Sequence, residues 1–335
     1  MAKKTEFKPN RINFKVRGII TRLGDRGYAE DENQGMWQRI RFGIKTSKTN
    51  EVPVELFGYK GDAFFWSKEK GQSFKVDYED RHNKPKGVKD AHMMGVGVNH
   101  KGTKDGLENL HKYDAVEAIM ENFADGDSVQ ITGQVEYSSY EKEDETIVQK
   151  SYSINRITKF NEPIDFDKED FKEVSSFEGT FIFLDIDKVK EEGGSSYDDV
   201  TARVVTKKDG TFVDTDFQVP ERKTKMSKAF KKALKWGDEI KVKGLLRNEA
   251  IEVEVEDEEE DEWGSEEVAG YGKPITTYKR SMDIVHFDQD YWKDGDDSKG
   301  IPPGKGKYNE EDFEVDPFNE EDALDFDDDD DDDWA

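Results

Sequence analysis

Apolar residues recur at every second position in several short runs of this chain, the period of a strand with one buried face. The run Val16-x-Gly18-x-Ile20-x-x-Leu23 returns as Phe177-x-Gly179-x-Phe181-x-x-Leu184. Further on, Gly126-Asp127-Ser128-Val129-Gln130-Ile131-Thr132-Gly133 matches Gly237-Asp238-Glu239-Ile240-Lys241-Val242-Lys243-Gly244. In both places a Gly-Asp turn launches an alternating strand. A helix-period segment precedes each turn, over residues 114–123 and 227–236, and a closing strand follows, with Ile154, Ile157 and Phe160 in the first half and Met282 and Ile284 in the second.

Read in order, each half is a bent strand, further strands, a helix, a turn, a strand and a closing strand. That is the element order of the OB-fold, a five-stranded Greek-key barrel. The expected fold is therefore all-β dominated: two OB-like barrels, each with a short helix. The first spans residues 1–162 and the second 175–287, joined by an acidic linker over 163–174. The glycines that open and close the first copy, Gly18 and Gly126, lie 108 residues apart and those of the second, Gly179 and Gly237, 58. The excess is placed in an inserted loop near 82–111, rich in Gly, Lys and His and read as mobile. After residue 287 the chain turns to Gly, Pro and Asp and then to an acid run, so residues 288–335 are expected to be a disordered acidic tail.

Charge changes the picture of what the barrels do. The formal net charge is -27, which argues against a polyanionic partner. Yet residues 308–335 carry sixteen acids and 249–267 carry twelve, with no base in either stretch, so the remainder is near neutral. Residues 1–48 hold twelve Lys or Arg against five acids. The first barrel is the basic one.

OB-folds hold single strands by a basic groove and by aromatic rings on which bases stack. Alternation puts Trp37, Arg39 and Arg41 on one face of a strand, with Ile40 and Phe42 facing the core. Phe57 and Tyr59 share a face with Glu55 on the next strand, either as stacking platforms or as core and edge residues. Trp66 is assigned to the core. Tyr137, Tyr140 and Tyr152 flank the loop between the last two strands, and Arg17 and Arg22 add charge at the first. In the second barrel that loop is the acid run 249–267, which suits assembly or partner contact more than phosphate; its basic helix, from Arg222 through Lys235, either holds phosphates, docks an acidic segment or is a solvated face. At the end of the chain, Phe326, Asp331, Asp332, Asp333 and Trp334 combine charge with an apolar anchor, a combination suited to a basic pocket on a partner protein.

With these features the chain resembles the single-stranded DNA-binding proteins of bacteria and their phages, the phage replication proteins more closely. The resemblance implies single-stranded DNA as ligand, replication or recombination proteins as partners of the tail, and a cytoplasmic location, in a bacterial host cell if phage-encoded. The second barrel, the internal acid run and the penultimate Trp334 depart from the short bacterial type, so tetramer assembly does not carry over.

No apolar run approaches the roughly 20 residues of a membrane span, and the start lacks a secretory signal. With no cysteine, disulfides and thiol chemistry are excluded. Gly304-Lys305-Gly306-Lys307 lacks the spacing of a phosphate-binding loop, and His82, His92, His100 and His111 fit no compact metal site. No enzyme activity, cofactor or metal is expected. Two rivals remain: an acidic chaperone or DNA mimic, and a nuclease or annealing factor using acids with magnesium. Because the tail competes for the basic groove on this reading, deleting residues 325–335 should tighten single-strand binding at low salt and abolish partner recruitment; titration of the truncated chain with oligonucleotide and partner checks both.

Overall fold

Two glycines in the left-handed region set the frame, Gly126 at φ 92° and Gly237 at φ 84°. Each precedes an aspartate whose Oδ2 accepts from an amide three residues back, Ala124 and Lys235, both at 3.0 Å. A side chain at either glycine would strain the turn. Hence the Gly-Asp pair appears in both halves.

The computed structural model describes residues 7–24, 26–31, 33–142, 145–190, 196–206, 211–253 and 275–313. The first barrel is built from β1 (Ile12–Thr21), β2 (Tyr28–Glu30), β3 (Trp37–Lys45) and β4 (Glu51–Tyr59). An inserted region follows, with β5 (Ala63–Ser67), β6 (Gln72–Val76), β7 (His92–Met93), β8 (Val96–Asn99) and β9 (Glu108–Leu110). Then come α1 (Lys112–Asn122), β10 (Ser128–Lys142) and β11 (Glu145–Lys159). β1 pairs with both β3 and β10, β3 with β4, and β10 with β11, all antiparallel, while β11 closes on β4 by a parallel step at Ser153 and Glu55. This closed order is that of an OB-fold.

The second barrel repeats it with β12 (Val174–Lys190), β13 (Ser196–Val205), β14 (Phe212–Pro220), α2 (Thr224–Ala233), β15 (Glu239–Val253) and β16 (Ile275–Phe287). Its parallel closing step pairs Gln218 with Asp283. Register reveals the true correspondence of the two copies. Phe14 stands opposite Gly133, and Phe177 opposite Gly244; a Cβ on either glycine would lie within 2.6 Å of the facing ring. Phe14 is thus the counterpart of Phe177, two residues from where the sequence match set it. A slip of two keeps every side chain on its own face, so the pattern survived the error.

Barrel joins barrel through these same residues. β1 and β12 pair antiparallel with Phe14 directly opposite Phe177, so equivalent strands meet about a local two-fold axis. Buried side chains of both units form one continuous apolar cluster. To one side, Asn50 is fully buried: its Nδ2 donates to Glu173 Oε1 at 2.8 Å and to the Leu246 carbonyl at 3.0 Å, and its Oδ1 accepts from the Asn248 amide at 2.7 Å.

Two segments and one residue differ from the sequence reading. Residues 82–111 are more than a loop, with short strands between turns: Val88 and Ala91 bury against Ala63 and Phe65 of β5, β8 adds to the barrel beside β11, and Arg81 clamps Asp114 of α1 at 2.8 and 2.9 Å. Glycine and lysine hid a few well-placed Val and Ala. Residues 288–313 fold against the second barrel through α3 (Gln289–Asp294). Tyr291 and Trp292 are buried there, Trp292 Nε1 donates to Asp238 at 3.0 Å, and Tyr308 stacks on Phe7. Only the expected disorder of 314–335 falls outside the described residues. Trp66 is exposed, whereas its neighbour Phe65 fills the core, because alternation on β5 admits only one of them.

Replacing Asn50 with alanine removes the buried acceptor of the Asn248 amide, while the Leu246 carbonyl keeps its bond from Ser175 Oγ; an unsatisfied buried donor costs about 1–3 kcal/mol. Urea unfolding of Asn50→Ala should show that loss, and Thr49→Ala, at an exposed neighbour, should show almost none.

Candidate nucleic-acid interface

The outer face of β3 and β4 carries the aromatic and basic residues together. Register sets Trp37 opposite Tyr59, Arg39 opposite Phe57 and Arg41 opposite Glu55. Phe57 and Tyr59 are 49% and 50% exposed, which resolves the choice between core and surface left open by the sequence. Trp37 is half-buried and stacks on Phe57 diagonally across the strands, with ring centroids 5.9 Å apart and planes at 26°. Arg39 holds its Nε buried with no hydrogen-bond partner among the described residues. Arg41 pairs with Glu55 at 2.5 Å.

Rigidity comes from the opposite face of the same strands. Gln38, Ile40 and Leu56 point inward and are buried. Gln38 Nε2 donates to the Tyr113 carbonyl at 2.6 Å, and Gly58 lets α1 approach so closely that a Cβ there would sit 2.5 Å from Tyr113 Cα. The platform is therefore held by the core and does not form on contact.

Around this face the other predicted residues separate. Arg22 is a non-glycine residue at φ 58°, a conformation held because the Asp125 carboxylate accepts the amides of Arg22 and Leu23 at 3.0 and 2.8 Å. Its guanidinium pairs with Glu51. Tyr140 is 51% exposed on the β10–β11 hairpin. Tyr137 is not available for stacking: it is 9% exposed, lies against the second barrel, and its hydroxyl contacts Met282 Sδ at 3.5 Å. Tyr152 is half-buried with its ring edge-on to Phe14 at 5.5 Å. Burial pushes both phenols above the usual tyrosine range. Arg17 stands apart, donating to the Lys172 carbonyl in the linker at 3.2 Å.

A cleft of about 790 Å³ opens beside the platform, between the barrels. Arg22, Arg26, Arg41, Lys150, Arg247 and Arg280 line it with Tyr140 and Tyr152, and among the described residues Glu55 is the one acid in its wall. Arg247 is shared among Glu249 at 2.9 Å, Glu173 at 3.6 Å and Asp283 at 3.8 Å, whereas Arg280 meets the neutral Asn248 Oδ1 at 3.1 Å. Burial first, then Arg280, hold the Lys150 ammonium below the usual lysine range, partly offset by Asp216. Sequence reading missed Arg26, Lys150, Arg247 and Arg280. Nothing local marks them, since only the join of the barrels brings them together.

The equivalent face of the second barrel is unlike the first. Asp199 takes the place of Arg41, Gln218 that of Glu55 and Pro220 that of Phe57. Burial, with Asp216 and Asp187 nearby, raises the Asp199 carboxyl above its ordinary range. At these positions the face lacks the ring and the cation of the first. Among the described residues no group of His, Asp and Glu is placed to hold a metal ion. Phe326, Asp331, Asp332, Asp333 and Trp334 lie outside the described residues, as does most of the acid run.

The YorF family model matches residues 13–326. No curated protein matches the chain. Among solved structures, a deletion mutant of the single-stranded DNA binding protein from Thermus aquaticus is 12% identical with a TM-score of 0.39, covering 84% of this chain and 94% of its own. The wild-type protein from the same organism gives 12% and 0.38, covering 83% and 91%. Likeness at this level says nothing of what the chain binds.

Proposed function

The chain belongs to the YorF family, and we propose that it is a single-stranded DNA-binding protein that holds single strands during replication or recombination. The observation that carries this reading is the rigid outer face of β3 and β4, where Trp37, Phe57 and Tyr59 lie among Arg39 and Arg41. Exposed rings on a fixed sheet cost solvation and bring no packing, whereas unpaired bases would cover them at about 1–3 kcal/mol per stack. Duplex DNA keeps its base faces stacked internally and offers this surface only phosphates. Arg22 and Tyr140 extend the face on the two loops that border it in this fold.

On this reading the protein is a binding protein and no enzyme, works in the cytoplasm, and uses Phe326, Asp331, Asp332, Asp333 and Trp334 to recruit partner proteins. The preference for DNA over RNA rests on the resemblance drawn from the sequence.

A gel shift at low salt with single-stranded DNA, duplex DNA and RNA, each with and without magnesium, tests the proposal. Single-stranded DNA should shift best, unchanged in length and insensitive to magnesium beyond ionic screening. Failure to bind it would leave the acidic chaperone reading, and magnesium-dependent cleavage would favour the nuclease. Phe57→Ala and Tyr59→Ala should each weaken single-strand binding by about 1–3 kcal/mol, roughly 5- to 150-fold, with little change in unfolding midpoint because both rings are half exposed, Phe57 losing only its stack on Trp37.

A further inference from the structure

The cleft between the barrels contains a pair of cations that the platform does not explain. Lys150 lies opposite Tyr137 in the β10–β11 ladder, and Arg280 opposite Asn248 in the β15–β16 ladder. Counting from the bulge that precedes Gly133 in one barrel and Gly244 in the other, Ile154 corresponds to Ile284. Lys150 therefore corresponds to Arg280. One position of the repeat, occurring once in each barrel, has been brought by the β1–β12 join into the wall of a single cleft.

Two cations in the wall of one cleft repel, here with Lys150 half-buried and Arg280 exposed. Neither of the two has an ion-pair partner within 4.0 Å among the described residues, although Asp216 is near enough to act on Lys150. Apart from Asp216, the acids in or near the cleft have partners: Glu55 in Arg41, Glu51 in Arg22, and Glu173, Glu249 and Asp283 around Arg247. An anion between Lys150 and Arg280 would relieve the repulsion. Arg41 belongs both to this cleft and to the β3–β4 face, so a strand lying on the platform has a basic path into it.

We infer that Lys150 and Arg280 form a phosphodiester seat on the local two-fold axis, through which a single strand held on the first barrel also engages the second. This inference rests on the single-strand reading above. It revises the division of labour expected from the sequence, because the second barrel's own face is acidic while its last strand supplies a cation to the shared path. The ligand chemistry is a phosphate oxygen flanked by an ammonium and a guanidinium, which a strand or a free phosphate ion could both supply.

The test uses the full chain, with Lys150→Gln, Arg280→Gln and the double variant, titrated over a salt series with thymidine oligonucleotides of about 8 and about 30 nucleotides, one short enough for a single OB face and one long enough to cross the cleft. The double variant should bind the long oligonucleotide about tenfold more weakly and lose about 0.7 from its salt slope for each contact removed, while the short one binds as to wild type. Lys150→Arg and Arg280→Lys, which keep the charge, should restore the slope and so exclude a folding defect. Equal slopes and affinities for wild type and double variant would overturn the seat and leave the platform reading intact. No single-strand affinity in wild type would overturn both. Thermal protection by inorganic phosphate that the double variant loses, with long-oligonucleotide binding unchanged, would overturn the strand assignment in favour of a free-anion site.

Discussion

The antiparallel ladder between β1 and β12 is the constraint on which the rest of the molecule depends. A barrel that closes on itself has no free edge, yet here each first strand serves its own barrel on one side and its twin on the other, with Phe14 opposite Phe177. Each ring occupies the space that Gly133 or Gly244 leaves by having no side chain. The Phe–Gly pair thus packs the barrel interior at the point where the sheets become continuous. Because register in a ladder is fixed in steps of two residues, this one pairing sets the relation of every other strand in the two units.

A symmetric join of two barrels does not make symmetric surfaces. The residues that bury are alike in the two copies, since both must fill the same barrel. Those facing outward are under no such requirement and have diverged in charge: Arg41 against Asp199, Phe57 against Pro220. The asymmetry continues at the join, where Asn50 ties the β3–β4 turn to β15 through buried hydrogen bonds, while Asn10 and Val205 make a two-bond contact on the other side. One side of the axis is closed by that network and flanks the basic cleft. Fold and function therefore separate along the pleat, with the inward residues carrying the repeat and the outward ones the chemistry.

That separation explains what was legible in the sequence. Period-two alternation reports the inward face, so the two barrels, the Gly-Asp turns and the split of Trp37, Arg39 and Arg41 from Ile40 and Phe42 could be read from spacing alone. Alternation is blind to what lies over the outward face. Tyr137 looked like a loop-flanking ring and is covered by the second barrel, and Trp66 looked like core beside Phe64 and Phe65 and is exposed. Composition misled in the two segments of high Gly and Lys or Asp content. Residues 82–111 and 288–313 need few apolar contacts because each leans on a barrel already folded: Val96 and Val98 extend an existing sheet, and Trp292 and Tyr308 are fastened to the buried Asp238 and Glu239.

The cleft marks the limit of such reading for a physical reason. Lys150 and Arg280 are 130 positions apart in sequence, each in a strand where an outward cation is unremarkable. They become a pair only because antiparallel pairing of equivalent strands generates a two-fold axis, and any residue near such an axis meets its own counterpart. A repeat that doubles a favourable contact there doubles a like charge as well. Asp216 offsets only part of the repulsion on Lys150, so the pair points outward from the chain to an anion, and the acids already engaged by Arg41, Arg22 and Arg247 are not free to supply it. The acidic composition of the whole chain and the basic character of this one site are thus compatible, because charge acts over about 8–10 Å at physiological salt and what a phosphate meets is the local arrangement, not the sum.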